Sequence, residues 1–123
     1  KFDREVTREL LYEKGLSRQV LMPQAPDPDV LRAVRANLRY HLSYVDYLAH
    51  HRSWLAGDAL SFADLSAAAH LSIVDYLGEV PWDMHPQAKT WYARLKSRPS
   101  FRTLLADRVA GVPPPIHYTN LDF

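Results

Sequence analysis

Between Trp54 and His70 the chain reads WLAGDALSFADLSAAAH, a turn that runs straight into an apolar helix. Leu55, Ala56, Gly57 and Asp58 supply the turn, and Gly57 can take a positive φ that other residues avoid. Ser61 stands where an N-cap belongs, with Asp64 three residues on. The pair forms a capping box in which the shorter Asp replaces the usual Glu or Gln. Leu60 and Leu65 occupy the two positions of a hydrophobic staple. Ala67, Ala68, Ala69, Leu71, Ile73 and Val74 are small and apolar on almost every side, which predicts a central helix, Ser61 to Leu77, packed all round.

The flanking segments supply the helices that would cover it. Phe2, Val6 and Leu10, continued by Leu11, Leu16 and Val20, predict a first helix from Phe2 to Val20, with Gly15 as a bend or close contact. Pro23, Pro26 and Pro28 enforce a loop. From Asp29 to His51, the residues Leu31, Val34, Leu38, Leu42, Val45 and Leu48 or Ala49 form a core-facing stripe. Beside it Tyr40, Tyr44 and Tyr47 make a second row, readable as the edge of a core or as an aromatic wall for a ligand or subunit. Gly78 closes the central helix as a C′ residue. Pro86 opens a helix to Ser97, and Pro99 opens a short last one carrying Phe101, Leu104, Leu105 and Val109. Gly111 and Pro113-Pro114-Pro115 then hold the chain extended into the tail IHYTNLDF. The expectation is an all-α bundle of five helices over residues 1–110 with an extended Pro-rich tail over 111–123.

Composition narrows the function classes. A chain of 123 residues makes one domain, and 47% hydrophobic with 24% charged residues is ordinary for a globular protein. A net charge of +1 leaves no basic face, which argues against nucleic acid as a partner. Zero cysteines remove thiol catalysis, Cys metal sites and disulfides, and fit a cytoplasmic setting. No apolar run reaches the roughly 20 residues of a membrane span, and no signal-like segment opens the chain. Its first residue, Lys1 rather than Met, is what a piece of a longer protein would show.

Catalytic constellations are scarce. The six histidines show no i, i+4 pair, and neither HExxH, a P-loop nor G-x-S-x-G occurs. Ser61, Asp64 and His70 resemble parts of a nucleophilic site, but the capping role accounts for the first two, and His70 lies on another face. Arg8 and Tyr12, at i, i+4 on the first helix, either face a ligand or form a solvated cation–π pair. No catalytic residue, cofactor-binding residue or metal ligand is assigned to this chain. The tail carries Ile116, Leu121 and Phe123, suited to dock on a partner or to fold back over its own core.

Two segments together carry a family resemblance. WLAGDALSFADLSAAAH resembles the L-A-G-x-x-x-S-x-A-D signature of the glutathione S-transferase C-terminal domain. HPQAKTWYARLKSRPSF resembles the same family's H-P…W-x-x-R-x-x-x-R-P-x-F stretch, here His85, Pro86, Trp91, Arg94, Arg98, Pro99 and Phe101. The resemblance covers nearly the whole chain and implies that Ser61 and Asp64 have a folding role. It further implies a preceding thioredoxin-like domain, absent from these residues, that binds glutathione and supplies the thiol-activating side chain. The helical domain would then line the co-substrate cleft, with Arg8 and Tyr12 as candidates, and would form a homodimer through the first two helices.

A narrower resemblance lies in KFDREVTRELLYEKG, HLSIVDYLGEVPWDMHP and HYTNLDF. These are similar to the alphaproteobacterial glutathione-transferase-like cell-division proteins, which bind the tubulin-like polymer FtsZ and are thought not to depend on glutathione chemistry. That resemblance implies a partner-binding tail, with Ile116, His117, Tyr118, Leu121, Asp122 and Phe123 as candidates. Conjugation of glutathione to a hydrophobic electrophile is the alternative activity.

Overall fold

Helical periodicity is realised as five helices, with no strand, among the residues that the computed structural model describes: 1–11, 27–121 and 123. Helix α1 begins as a wide π-helical stretch, Asp3–Thr7, and continues as the α-helical turn Arg8–Leu10. Helix α2 is Pro28–His51, α3 Phe62–Tyr76, α4 Pro86–Lys96 and α5 Pro99–Leu105. Single 3-10 turns, Trp82–Met84 and Ile116–Thr119, lie in the α3–α4 connection and in the tail. The predicted continuation of α1 to Val20, the bend at Gly15, and Tyr12, Pro23 and Pro26 lie outside the described residues.

Pro28 departs from the expected loop. It takes the N1 position of α2, where a missing N–H costs nothing, and Asp27 caps the helix by accepting from the Asp29 N–H at 2.9 Å. The stripe predicted for α2 faces inward: Val34, Leu38 and Leu42 are buried, with Leu31, Val45, Leu48 and Ala49 packed at its margins. Against it lie Val6 and Leu10 of α1 and the Ala88, Trp91, Tyr92 and Leu95 face of α4. Asp46 of α2 accepts from the Ala88 N–H at 2.9 Å, placing a carboxylate at the first turn of α4, where the helix dipole favours it. Phe101 is buried against the Tyr92 ring, edge to face at 5.9 Å. Helix α5 ends at Leu105, short of the predicted Val109, which sits exposed in a turn closed by Gly111.

Helix α3 corrects a further expectation. Its buried side carries Asp64, Ala68, Leu71, Ser72, Val74, Asp75 and Tyr76, but Phe62, Leu65 and Ile73 are exposed. The helix is therefore packed on one side rather than all round. The staple residue Leu60 packs on the core while Leu65 points to solvent. At its other end Gly78 has φ +76°, its N–H meets the Asp75 carbonyl, and the Glu79 N–H meets that of Val74, the two bonds of a Schellman motif. A Cβ at Gly78 would meet only Pro115 Cγ at 3.8 Å, so a substitution there is opposed by backbone strain rather than by a clash. Gly78→Ala should accordingly cost about 1–2 kcal/mol, read as a lower urea midpoint at unchanged slope. An unchanged midpoint would show that the left-handed residue is not required.

Candidate functional site at the docked tail

The two signature segments are joined through one carboxylate. Asp64 is fully buried, and Oδ1 accepts from the Leu55 N–H at 2.8 Å and from the Trp91 indole at 2.9 Å. Its Oδ2 accepts from the Ser61 N–H at 3.0 Å and from the Ser61 hydroxyl at 3.2 Å. The predicted capping box is therefore present, and it reaches further than the box itself. Burial alone would push the Asp64 carboxyl up, but the donors from Leu55, Trp91 and Ser61 outweigh it and hold the group below its ordinary value. The rest of the second segment reinforces the join: Arg94 donates to the Ser53 carbonyl and lies over the Trp54 ring at 4.4 Å. His70 takes no part. It is exposed, with Nδ1 at 2.8 Å from the Ser66 carbonyl.

The tail folds back over the far ends of α3 and α4. Its root is gripped by Tyr76, whose hydroxyl accepts from the Val109 N–H at 2.9 Å and donates to the Val112 carbonyl at 2.6 Å. Beyond the three prolines the Ile116–Thr119 turn places Tyr118 inside, only 3% exposed, with its ring against that of Tyr76. Burial and the nearby Asp75 carboxylate push the Tyr118 hydroxyl up to about 12. His117 Nε2 donates to Asp75 Oδ1 at 3.0 Å, and the same oxygen accepts from the Trp82 indole at 2.9 Å.

Lys96, fully buried at the end of α4, donates to the His117 carbonyl at 3.2 Å and to that of Asn120 at 2.7 Å. Its ammonium also lies 3.9 Å from the centre of the Phe123 ring. Burial pulls the Lys96 pKa down, and the Asp75 charge opposes that shift. Phe123 completes the arrangement, packing edge-on to Trp82 at 5.3 Å and to Tyr92 at 5.9 Å.

The candidate residues thus separate. His117, Tyr118 and Phe123 are brought together on the body of the domain, with Leu121 half-buried beside them, while Ile116 is 96% exposed. Asp122 and Tyr12 lie outside the described residues. Arg8 is paired with Asp3 at 2.9 Å on the open face of α1. The apolar hollow of about 200 Å³ beside Leu11, between Ile73, Tyr76, Leu104 and Val112, is not lined by Arg8. Tyr40, Tyr44 and Tyr47 stand largely in solvent, further out than the edge of a core would put them.

Sequence reasoning missed Asp75, Tyr76 and Lys96. A charged residue within the apolar run LSIVDYL was the available signal for Asp75. Nothing comparable marks Lys96, since a lysine at a helix end is usually solvated.

Comparison with known proteins agrees with this architecture. Residues 10–99 match the family model described as Glutathione S-transferase, C-terminal domain. FtsZ-localized protein A of Caulobacter vibrioides is 53% identical over all 123 residues, which cover 54% of that protein. A crystal structure of a glutathione S-transferase from Rhodospirillum rubrum superposes with a TM-score of 0.90 at 54% identity, over 99% of this chain and 54% of that one. FzlA from C. crescentus superposes at 0.91 with 52% identity and the same coverage. The chain spans about half the length of these full-length relatives. With its two signature segments joined through Asp64 and its family model matched over most of its length, the chain belongs to the glutathione S-transferase C-terminal domain family.

Proposed function

We propose that the chain is the helical half of a bacterial, cytoplasmic, glutathione S-transferase-like protein that binds FtsZ, with the transferase fold serving as an interaction scaffold. The observation that carries this reading is the 53% identity to FtsZ-localized protein A over an alignment that spans the tail as well as the helices. The docking element is the tail, through Ile116, His117, Tyr118, Leu121, Asp122 and Phe123. A thioredoxin-like domain covers the open strip of α3 formed by Phe62, Leu65 and Ile73, an apolar surface of the kind that partners bury. The Tyr40, Tyr44 and Tyr47 row supports a homodimer formed through the first two helices.

Co-sedimentation of the full-length protein with FtsZ polymer tests the reading. Pelleting is expected for the intact protein and should be lost when residues 116–123 are removed. Unchanged pelleting after the truncation would count against the tail.

The second reading, glutathione conjugation to a hydrophobic electrophile, is favoured by the likeness to the R. rubrum glutathione S-transferase and by the apolar hollow beside Leu11. In it the first helix, which carries Arg8 and Tyr12, contributes to the co-substrate wall beside that hollow, which Arg8 itself does not line, and glutathione binds on the other domain. Robust turnover of an aryl halide by the intact protein would displace the scaffold reading.

A further inference from the structure

We infer that residues 116–121 and Phe123 form a latch, closed over the α3–α4 face in this structure and bolted by Lys96, and that FtsZ engages the tail only when the latch opens. The inference rests on the reading of the tail as the FtsZ-docking element and adds a closed state to it. Three observations carry it.

The first is the use made of Lys96. A lysine ammonium is among the groups least often buried without a partner, yet this one is fully buried, and among the described residues its hydrogen bonds go to two carbonyls of the tail. The Phe123 ring closes over it at 3.9 Å. Its environment is therefore largely made by the tail, and opening the tail would return the ammonium to water. Water repays part of these bonds on opening, so the bolt holds the closed state by a modest margin that a partner can overcome.

The second is which side chains the closed state consumes. Tyr118 and Phe123 offer the largest apolar and aromatic contacts in the tail, and both are turned onto the domain's own Tyr76, Trp82 and Tyr92. His117 is held by Asp75. Of the large apolar tail side chains, Ile116 alone is fully presented to solvent among the described residues. A partner that grips the aromatic residues has to displace these internal contacts.

The third is the build of the hinge. Tyr76 fixes Val109 and Val112, so the tail is anchored just before Pro113, and three prolines without N–H donors separate that anchor from the bolt. The prolines add no backbone donor to the closed state. They carry the tail as a stiff arm that swings from a fixed root.

The test compares full-length wild type with Lys96→Met, which keeps the apolar stem and removes the ammonium, and with Tyr76→Phe, which keeps the ring and loosens the root. The readouts are amide exchange at Tyr118 and Asn120, whose N–H groups bond the Pro115 and His117 carbonyls, and pelleting with FtsZ polymer at sub-saturating concentration. Lys96→Met should speed exchange at both amides by about tenfold or more and lower the half-saturating polymer concentration several-fold. Tyr76→Phe should shift both readouts the same way by less, and it carries the test if Lys96→Met does not fold. Faster exchange with unchanged or weaker pelleting would overturn the latch as a control on binding. Unchanged exchange in both variants would overturn the latch itself. Absence of pelleting by wild type and variants alike would instead remove the FtsZ reading, and the partner half of this inference with it.

Discussion

Replacing Asp64 with alanine should lower the stability of the domain by about 4 kcal/mol at neutral pH. The carboxylate is fully buried and accepts from the Leu55 and Ser61 N–H groups, the Ser61 hydroxyl and the Trp91 indole. Removing it strands donors that water does not readily reach, which costs more than the same bonds contribute when intact. Asp64→Asn should cost less, because its carbonyl oxygen can still serve some of these donors. Trp91→Phe removes the indole donor and keeps most of the buried area. Its effect should add to that of Asp64→Ala by less than the sum of the two single losses, as expected for residues that share a hydrogen bond. Urea denaturation of wild type, Asp64→Ala, Trp91→Phe and their combination measures this, and strict additivity would show that the Asp64–Trp91 bond is energetically idle.

The same group fixes an acid limb. Its folded pKa is depressed relative to the unfolded chain, so its contribution is present above the ordinary carboxylate value near 4 and is lost as pH falls through the folded value. Wild type should lose this increment below about pH 4. Asp64→Asn has no proton to take up there and should show a flatter profile. Parallel acid profiles would place the acid sensitivity elsewhere.

The second large effect is expected at Asp75. Asp75→Ala removes the acceptor shared by Trp82 and His117 and takes away the carboxylate whose charge favours the buried Lys96 ammonium. Removing one member of a buried charged set typically costs about 3–5 kcal/mol. Asp75 Oδ2 is itself buried with no hydrogen-bond partner among the described residues, so part of what holds the carboxylate is the field of Lys96 rather than direct bonds. Asp75→Ala combined with Lys96→Met should therefore cost less than the two single changes summed, by roughly 0.5–3 kcal/mol. A sum matched within error would mean that the two charges do not support each other.

Much of the helix pattern was legible because apolar spacing reports directly which face is buried. Val34, Leu38 and Leu42 on α2, and Val6 and Leu10 on α1, lie where their spacing predicts. The cap at Ser61 and Asp64 was legible because capping is local, decided within four residues. What the pattern could not convey is which distant donor a buried carboxylate will meet. Trp91 reads as a core aromatic and Asp64 as a cap, and nothing in either segment announces the bond between them.

Helix α3 shows the opposite limit. Its composition is apolar on almost every side, yet Leu65 and Ile73 are open, because composition reports what a surface prefers and not which neighbour covers it. The tail was legible as apolar and stiff. Its docking on the body depends on Asp75 and Lys96, two charged residues whose burial is decided by tertiary packing.

The bond between Asp64 and Trp91 spans 27 residues, and this separation bears on how the chain acquires its shape during synthesis. Asp64 emerges well before Trp91, so the turn at Leu55 and the start of α3 are made while the carboxylate is still hydrated on one side. The helix start can form and fray, but it cannot be locked until α4 has been translated and its indole delivered. Folding of the N-terminal part is in this way held open to the arrival of the C-terminal part. A chain interrupted between α3 and α4 would carry an unsealed helix that proteases can recognise.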